Sequence, residues 1–292
     1  MGLFDWLKPK QKPARREPDK APGMIVLLDA LPDFDNNAIA EALGAIEPLR
    51  VAPKIDIEQT SDDDDNVQGS ADFDSHSIGI VGFDAPAPDA VIEKTIKVSN
   101  WTGEGREQLE SHKAHLVLMH KGGGADVLEK YIALYKLAGV IGGEHLRGVL
   151  LEEAWTCAPP DVVREFLSSE SLKGFRKNLP PILFTGFVKF FSDEGTWFAT
   201  KGHHMFGTPD LVMFGDEKPA DVMDIFMNIF LYVTQQGARI GPGHTLQIAD
   251  EVFLKFSELD PANPYIEYLK GAGPTLQLSR ISQDEIKRKD GA

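Results

Sequence analysis

Short runs of apolar residues set the strongest limit on how this chain folds. The run Met24–Ala30 lies between Gly23 and Pro32, and Ala114–Met119 is a second run of the same kind. Runs of this length are typical of buried β-strands. Further strands are predicted for Val51–Gln59, Ser77–Phe83, Leu146–Trp155, Ile182–Phe191, Thr196–Thr200, Leu211–Phe214 and Thr245–Phe256.

Segments with apolar residues at helical spacing separate these strands. The longest is Pro219–Gln236, which starts with proline and is followed by Gly237, and these residues favour the beginning and the end of a helix. Helices are also predicted from a cap at Asp35 or Asn36 to about Ile46, from about Asp126 to Val140, and for Asp161–Leu167. Interleaved strands and helices, with hairpins in the second half, predict an α+β fold of mixed or antiparallel sheets with packed helices.

Composition divides the chain into two lobes and two tails. Residues 1–23 are predicted to be a flexible basic tail and residues 279–292 a charged tail. A polar segment followed by Pro180-Pro181 lies between two groups of strands. We therefore expect two similar-sized α+β lobes, at 24–175 and 176–278.

The chain is strongly acidic, and the excess of acid is local. It has 45 Asp and Glu against 30 Lys and Arg, a net charge of −15, which argues against nonspecific nucleic-acid binding. Between Val51 and Glu93, eleven acids accompany one base, Lys54. An acidic surface attracts cationic proteins. A basic protein partner is therefore predicted to dock on Asp62, Asp63, Asp64, Asp65, Asp72 and Asp74.

The aspartate run leaves two alternatives to a docking surface. Asp62, Asp64 and Asn66 match the first three ligand positions of a calcium-binding EF-hand loop, so a weak site for a hard cation is one alternative. Val67 replaces the glycine of that loop and Phe73 replaces its closing glutamate, so the match is incomplete. The other alternative is a solvated, self-repelling loop.

Histidines in the second half are the candidates for catalysis. His203 and His204 lie in a glycine-flanked loop, and with His244, Asp193 and Glu194 they would form a metal or acid–base site. This arrangement predicts a metal-assisted hydrolase as the alternative to a non-enzymatic protein. The spacing matches none of the common zinc motifs, and a packed loop is the simpler interpretation.

Two other groups of reactive side chains have structural interpretations. On a strand, His115 and His120 point to opposite faces, so no metal site shared with His112 is expected. Cys157 lacks a neighbouring base in the sequence, and we expect it to be a small buried apolar residue. No cofactor is predicted.

Location is inferred from what the sequence lacks. It has no apolar run long enough to span a membrane, no apolar signal segment, and one cysteine. We therefore expect a cytoplasmic protein without integral membrane association. Leu3, Phe4, Trp6 and Leu7 beside a basic stretch leave open a weak contact of the N-terminus with a membrane surface.

The second half resembles a known family. The segments FTGFVKFFSDEGTWFATKGHHMFGTPDLVMFG and GARIGPGHTLQIADEVFLKF, between about Phe184 and Phe256, are similar to a bacterial family of domains of unknown function, number 4261. In this chain His203-His204 follows Gly202, where that family usually has an apolar residue. The resemblance implies an intracellular bacterial α+β protein and supplies no activity.

Together these observations favour a non-enzymatic bacterial interaction protein with an acidic docking surface. Bacterial immunity proteins that bind secreted toxins use surfaces of this kind, and the comparison is an analogy.

Overall fold

The described part of the chain, residues 21–59, 66–122 and 126–287 of a computed structural model, forms two compact units. The N-terminal unit is Asp19–Phe184, and the C-terminal unit begins at Thr185. In its described residues, each unit has a β-sheet with helices packed on it, so the predicted α+β fold is confirmed.

The sheet of the N-terminal unit is antiparallel. Its described strands are β1 (Gly23–Leu28), β2 (Lys54–Gln59), β3 (Asn66–Phe73), β4 (His76–Phe83), β5 (Ala114–His120), β6 (Leu146–Leu151) and β7 (Thr156–Ala158). Their order is β2-β3-β4-β5-β1-β6-β7, and each neighbouring pair is antiparallel. The predicted apolar run therefore forms a central strand, and after Gly23 its side chains are buried on both faces.

Helices cover both faces of this sheet. They are α1 (Asn36–Ile46), α2 (Asp89–Lys94), α3 (Gly103–Glu110), α4 (Val127–Gly142), α5 (Pro160–Arg164) and α6 (Ser169–Lys177). On one face, Ile25 and Leu27 of β1 pack with Val91 of α2 and Leu109 of α3. On the other face α4 packs against β1, β5 and β6 and is buried along most of its length, as expected for a central helix.

A side chain closes the outer edge of β2. Asn36, the first residue of α1, donates its Nδ2–H to the carbonyl of Ile57 at 3.3 Å and accepts the N–H of Ile57 at 3.2 Å. These two bonds replace those that a further strand would make. Because an open edge can pair with another chain, Asn36 protects the middle of β2 from edge-to-edge association.

Several parts of this unit differ from the prediction. β3 and α3 form where no regular structure was predicted, because polar residues interrupt the apolar pattern of β3 and few apolar residues mark α3. The predicted lobe boundary, between residues 175 and 176, falls inside α6. This helix is amphipathic and packs Leu172 into the N-terminal unit, so the unit extends to Phe184.

The C-terminal unit has a mixed sheet, in agreement with the prediction. Its described strands are β8 (Gly186–Ser192), β9 (Gly195–Lys201), β10 (Asp210–Gly215), β11 (Thr245–Ala249), β12 (Val252–Glu258) and β13 (Thr275–Ser282). The order is β11-β12-β13-β10-β9-β8. β10 and β13 are parallel, and the other neighbouring pairs are antiparallel.

The predicted long helix is confirmed as α7 (Pro219–Gln236), and Gly237 ends it in the left-handed conformation at φ 65°. Its buried stripe packs Val222, Phe226 and Ile229 against the sheet. The short helix α8 (Ile266–Leu269) precedes β13, and α9 (Gln283–Lys287) follows it.

Two expectations for this unit are corrected. The predicted strand Thr245–Phe256 is a hairpin, because the chain turns at Asp250 and Glu251, the latter at φ 60°. Residues 279–282, predicted as the start of a charged tail, belong to β13 and pair with β12. Three of these four residues are exposed and Ile281 is half-buried, so the sequence has no apolar run there to indicate a strand.

Replacement of the edge-closing amide gives the first testable prediction. Asn36→Ala should lower the free energy of unfolding by about 1–2 kcal/mol, because the N–H and carbonyl of Ile57 lose their partners. It should also promote self-association through β2. Urea unfolding and sedimentation velocity measure the two effects.

Two further variants locate the effect. Asn36→Asp keeps the acceptor for the Ile57 N–H and loses the donor to its carbonyl, so an intermediate loss is expected. Asn37→Ala removes the exposed neighbouring amide and should change stability by less than about 0.5 kcal/mol. Equal losses in Asn36→Ala and Asn37→Ala would contradict the assigned role.

Candidate functional site

Exposed carboxylates gather on one side of β2 and β3. Asp56 and Glu58 of β2 and Asp72 of β3 are exposed and share a face of the sheet, which we call the acidic face. Lys54 lies opposite Asp72 in the β2–β3 register. Of the predicted docking residues, Asp72 belongs to this face, whereas Asp56 and Glu58 were not among them.

The remaining acidic positions are distributed differently. Asp62, Asp63, Asp64 and Asp65 fall in the connection between β2 and β3, outside the described residues. Asn66, the third proposed cation ligand, is the half-buried first residue of β3. Asp74 lies in the two-residue turn between β3 and β4, where its Oδ1 accepts the backbone N–H of Arg50 at 2.7 Å.

The other face of the same sheet borders a cleft of about 340 Å³. Phe73, Asp74 and His76 line it from the β3–β4 hairpin. The helix α4 contributes Glu129, Ile132, Ala133 and Lys136, whose spacing places them on one helical face. Glu47 after α1, with the adjoining loop to Arg50, and Arg176 of α6 complete its charged lining.

A network of ion pairs forms one wall of the cleft. Arg176 makes two hydrogen bonds to Glu47, at 2.6 and 3.1 Å, and two to Glu129, at 2.7 and 2.9 Å. Burial opposes ionisation of Glu47, but the hydrogen bonds and charge of Arg176, with the charge of Lys136, hold its pKa below the usual value. The two carboxylates raise the pKa of Arg176.

Lys136 is less closely paired than Arg176. Its side chain is 6% exposed, and its Nζ lies 3.5 Å from Oε2 of Glu47, an atom that already accepts a bond from Arg176. The same Nζ lies 6.0 Å from the ring centroid of Phe73. This distance is within the range of a cation–π contact.

His76 forms a hydrogen-bonded pair with His120, which is 2% exposed on β5. The distance from Nδ1 of His76 to Nε2 of His120 is 3.1 Å. The backbone N–H of Gly122 donates to Nδ1 of His120 at 3.1 Å. A neutral His120 must therefore carry its proton on Nε2 and donate it to His76.

This chain of donors fixes the tautomer of His76. Because Nδ1 accepts from His120, a neutral His76 carries its proton on Nε2. Burial lowers the pKa of His76 and lowers the pKa of His120 to about 4, so both rings are neutral at pH 7. The cleft is thus lined by an imidazole that offers an N–H.

Sequence reasoning missed this cleft because its side chains come from separate elements. His76, Glu47, Glu129 and Arg176 have no spacing that connects them in the sequence. The available signal was Lys136, a charged residue within the apolar run YIALYKLAG. A lysine in such a run is either buried with a partner or exposed at a functional surface.

The predicted histidine loop of the C-terminal unit is a buried polar network. His203 is 2% exposed, packs on Phe230 with ring centroids 4.6 Å apart, and has its pKa lowered by burial. Asp210 is fully buried, and its Oδ1 accepts the His203 N–H at 3.1 Å. Its Oδ2 lies 3.7 Å from Nδ1 of His204.

Lys201 anchors the same network. It is 1% exposed, and its ammonium donates to the carbonyls of Tyr268, Leu269 and Lys270 at 2.6, 3.1 and 2.8 Å. Burial lowers the pKa of Lys201 to about 8, against the opposing charge of Asp210. These carbonyls lie at the C-terminal end of α8 and have no hydrogen-bond partners within the helix. A cation therefore interacts favourably with them.

The structure does not bring the other proposed catalytic residues to this loop. His244 is exposed in the turn before the edge strand β11, and β12 and β13 separate β11 from β10. Asp193 and Glu194 form the turn at the far end of β9 from His203. Among the described residues, no group of three His, Cys, Asp or Glu side chains is arranged to hold a metal ion.

The remaining candidates have the expected structural settings. His115 and His120 point to opposite faces of β5, and His112 accepts the N–H of Ala87 and contacts the carbonyl of Leu109. Cys157 is buried, and burial raises the pKa of its thiol to about 11. No helix within the described residues combines the length and apolar character needed to cross a bilayer.

One family model matches part of the C-terminal half of the chain. The model of a domain of unknown function (DUF4261) matches residues 199–279, which confirms the resemblance seen in the sequence. The match runs from the end of β9 to β13 and contains Lys201, His203, His204 and Asp210. No curated protein and no solved structure matches the chain.

The buried lysine gives a second prediction. Lys201→Met should lower the free energy of unfolding by about 2–4 kcal/mol, because three carbonyls at the end of α8 lose a charged donor. Urea unfolding measures the loss. Lys189→Met, at an exposed position of β8, should change stability by less than about 0.5 kcal/mol. A loss in Lys201→Met no larger than this control would contradict the anchoring role.

The histidine pair gives a third prediction, on pH. Between the folded pKa of His120, about 4, and its ordinary value of 6.5, the unfolded chain binds a proton that the folded chain does not. The contribution of His120 to stability is therefore complete above pH 6.5 and is lost as the pH falls toward 4, a loss of about 1–3 kcal/mol from this residue. Urea unfolding at a series of pH values tests this loss.

Two substitutions assign the pH dependence. His120→Gln should remove much of the loss, whereas His244→Gln, at an exposed histidine, should leave it unchanged. The same acid dependence in wild type and His120→Gln would contradict the assignment.

Proposed function

We propose that this chain is an interaction protein that binds a basic partner on the acidic face. The observation that carries the proposal is the exposure of Asp56, Glu58 and Asp72 on one side of two paired strands. The sequence between those two strands contains four further acids, Asp62–Asp65. Charges concentrated in this way speed the encounter with a cationic protein and fix its orientation.

Protection of the sheet edge is the competing explanation for these carboxylates. Charged side chains on an edge strand often prevent association of sheets. Here Asn36 already occupies the N–H and carbonyl at the middle of β2. The same closure directs a partner to the side chains of the face rather than to the strand backbone.

The metal-assisted hydrolase has no comparable support. It requires His203, His204 and His244 at one site, whereas the first is packed in the core and the last is exposed beyond two intervening strands. The residues proposed for the interaction share one face, whereas those proposed for the hydrolase are separated. The interaction hypothesis is therefore the better supported of the two.

Carbodiimide cross-linking tests the proposal, because it joins a carboxylate to a lysine amine in direct contact. Purified chain is incubated with a lysate of the source cells at low salt, cross-linked, and mapped by mass spectrometry. We expect links from Asp56, Glu58 or Asp72 to lysines of a basic protein. They should decline as salt rises, because screening shortens the reach of exposed charges to about 10 Å at 0.1 M.

A charge-matched control makes the result specific. The triple variant Asp56→Asn, Glu58→Gln, Asp72→Asn should lose the partner. The variant Glu41→Gln, Glu93→Gln, Glu107→Gln, which removes three exposed acids elsewhere in the N-terminal unit, should retain it. Equal capture by both variants, or links that map away from the acidic face, would overturn the proposal.

A further inference from the structure

We propose that the cleft of the N-terminal unit binds a small organic anion, a carboxylate or a phosphate ester, through Lys136 and His76. The acidic face takes no part in this site, which lies on the opposite side of the sheet.

Lys136 provides the positive charge of the proposed site. A hydrogen-bonded ammonium–carboxylate pair usually spans about 2.7–2.9 Å. Lys136 lies 3.5 Å from Glu47, and both oxygens of that carboxylate accept shorter bonds from Arg176. With a side chain only 6% exposed, Lys136 is a cation that is largely removed from water and loosely compensated. An anion in the cleft would supply the close partner that such a charge needs.

His76 provides a hydrogen-bond donor in the same cleft as Lys136. The hydrogen bonds from Gly122 to His120 and from His120 to His76 leave the proton of a neutral His76 on Nε2. The proton of His76 is therefore on Nε2 before any ligand binds, because the alternative tautomer would place two protons between the imidazoles. An oxyanion can therefore accept from His76 without any rearrangement of the ring pair.

The lining is less suited to a cationic ligand than to an anion. The carboxylates of the cleft are already engaged, Glu47 and Glu129 by Arg176 and Asp74 by the backbone N–H of Arg50. A cation would have to displace one of these partners, whereas an anion meets groups that still offer N–H donors. The lining thus favours negative charge, although its three acids and three bases balance in formal charge.

The apolar side chains of the lining would contact the uncharged part of the ligand. The Phe73 ring lies beside both donors, with its centroid 5.6 Å from that of His76 and 6.0 Å from Nζ of Lys136. Ile132 and Ala133 line the cleft from α4. A volume of about 340 Å³ suits a small molecule with one anionic group and an apolar or aromatic body.

Isothermal titration calorimetry with simple probes tests the site on the full chain. Benzoate and phenyl phosphate represent the two anion sources, and benzyl alcohol is the neutral control. We expect one site per chain for at least one anion and no measurable binding of the alcohol. Absence of binding by both anions, or binding of the alcohol with equal affinity, would overturn the proposal.

Variants connect the binding to the named donors. Lys136→Met and His76→Phe keep the bulk of each side chain and should weaken binding by about tenfold or more. Lys97→Met, at an exposed lysine remote in the fold, should bind as the wild type does. Undiminished binding by Lys136→Met would contradict the assigned contact.

A measurement on the unaltered chain covers the case in which a variant fails to fold. Histidine side-chain ¹⁵N NMR should show His76 as the Nε2–H tautomer, and the binding anion should shift that resonance while His244 stays unchanged. A His76 signal with the proton on Nδ1, or one that does not respond to a bound anion, would overturn the role of His76.

Discussion

The ion pairs of Arg176 hold together the part of the N-terminal unit on which its cleft depends. This guanidinium joins two carboxylates, Glu47 after α1 and Glu129 on α4, while its own backbone belongs to α6. Planar double hydrogen bonds of this kind fix geometry as well as charge. Because both oxygens of Glu47 are used in this way, Lys136 is held near a carboxylate that it contacts only loosely.

Alternation along one strand gives the N-terminal unit two different surfaces. Asp72 and Phe73 are consecutive on β3, so their side chains point to opposite faces of the sheet. The first belongs to the acidic face and the second lines the cleft. A single strand thus supplies a surface suited to a macromolecule and a wall suited to a small ligand, and the sheet separates them.

The sequence predicts the elements of this fold better than its sites. Continuous apolar runs such as β1, and the proline and glycine that bound α7, act locally and are recognisable in one segment. β3 and the end of β13 were missed because they contain few buried apolar residues: three of the eight residues of β3 are buried, and residues 279–282 are exposed apart from the half-buried Ile281.

The sites depend on tertiary contacts more than the helices and strands do. His76 reaches His120 across 44 positions, and Arg176 reaches Glu47 across 129. No local spacing encodes such pairs. The histidine loop shows the opposite case, because a conspicuous pair, His203-His204, is accounted for by packing on Phe230 and by the buried carboxylate of Asp210.

The position of β13 has a consequence for how the chain is made. This strand comes near the end of the described sequence yet lies between β12 and β10, both of which are synthesised before it. Until residues 275–282 leave the ribosome, β10 and β12 have no partner on that side, and the three carbonyls that Lys201 requires have only just emerged. During that interval β10 and β12 are open on one side to pairing with other chains. The C-terminal sheet can therefore close only when β13 is available.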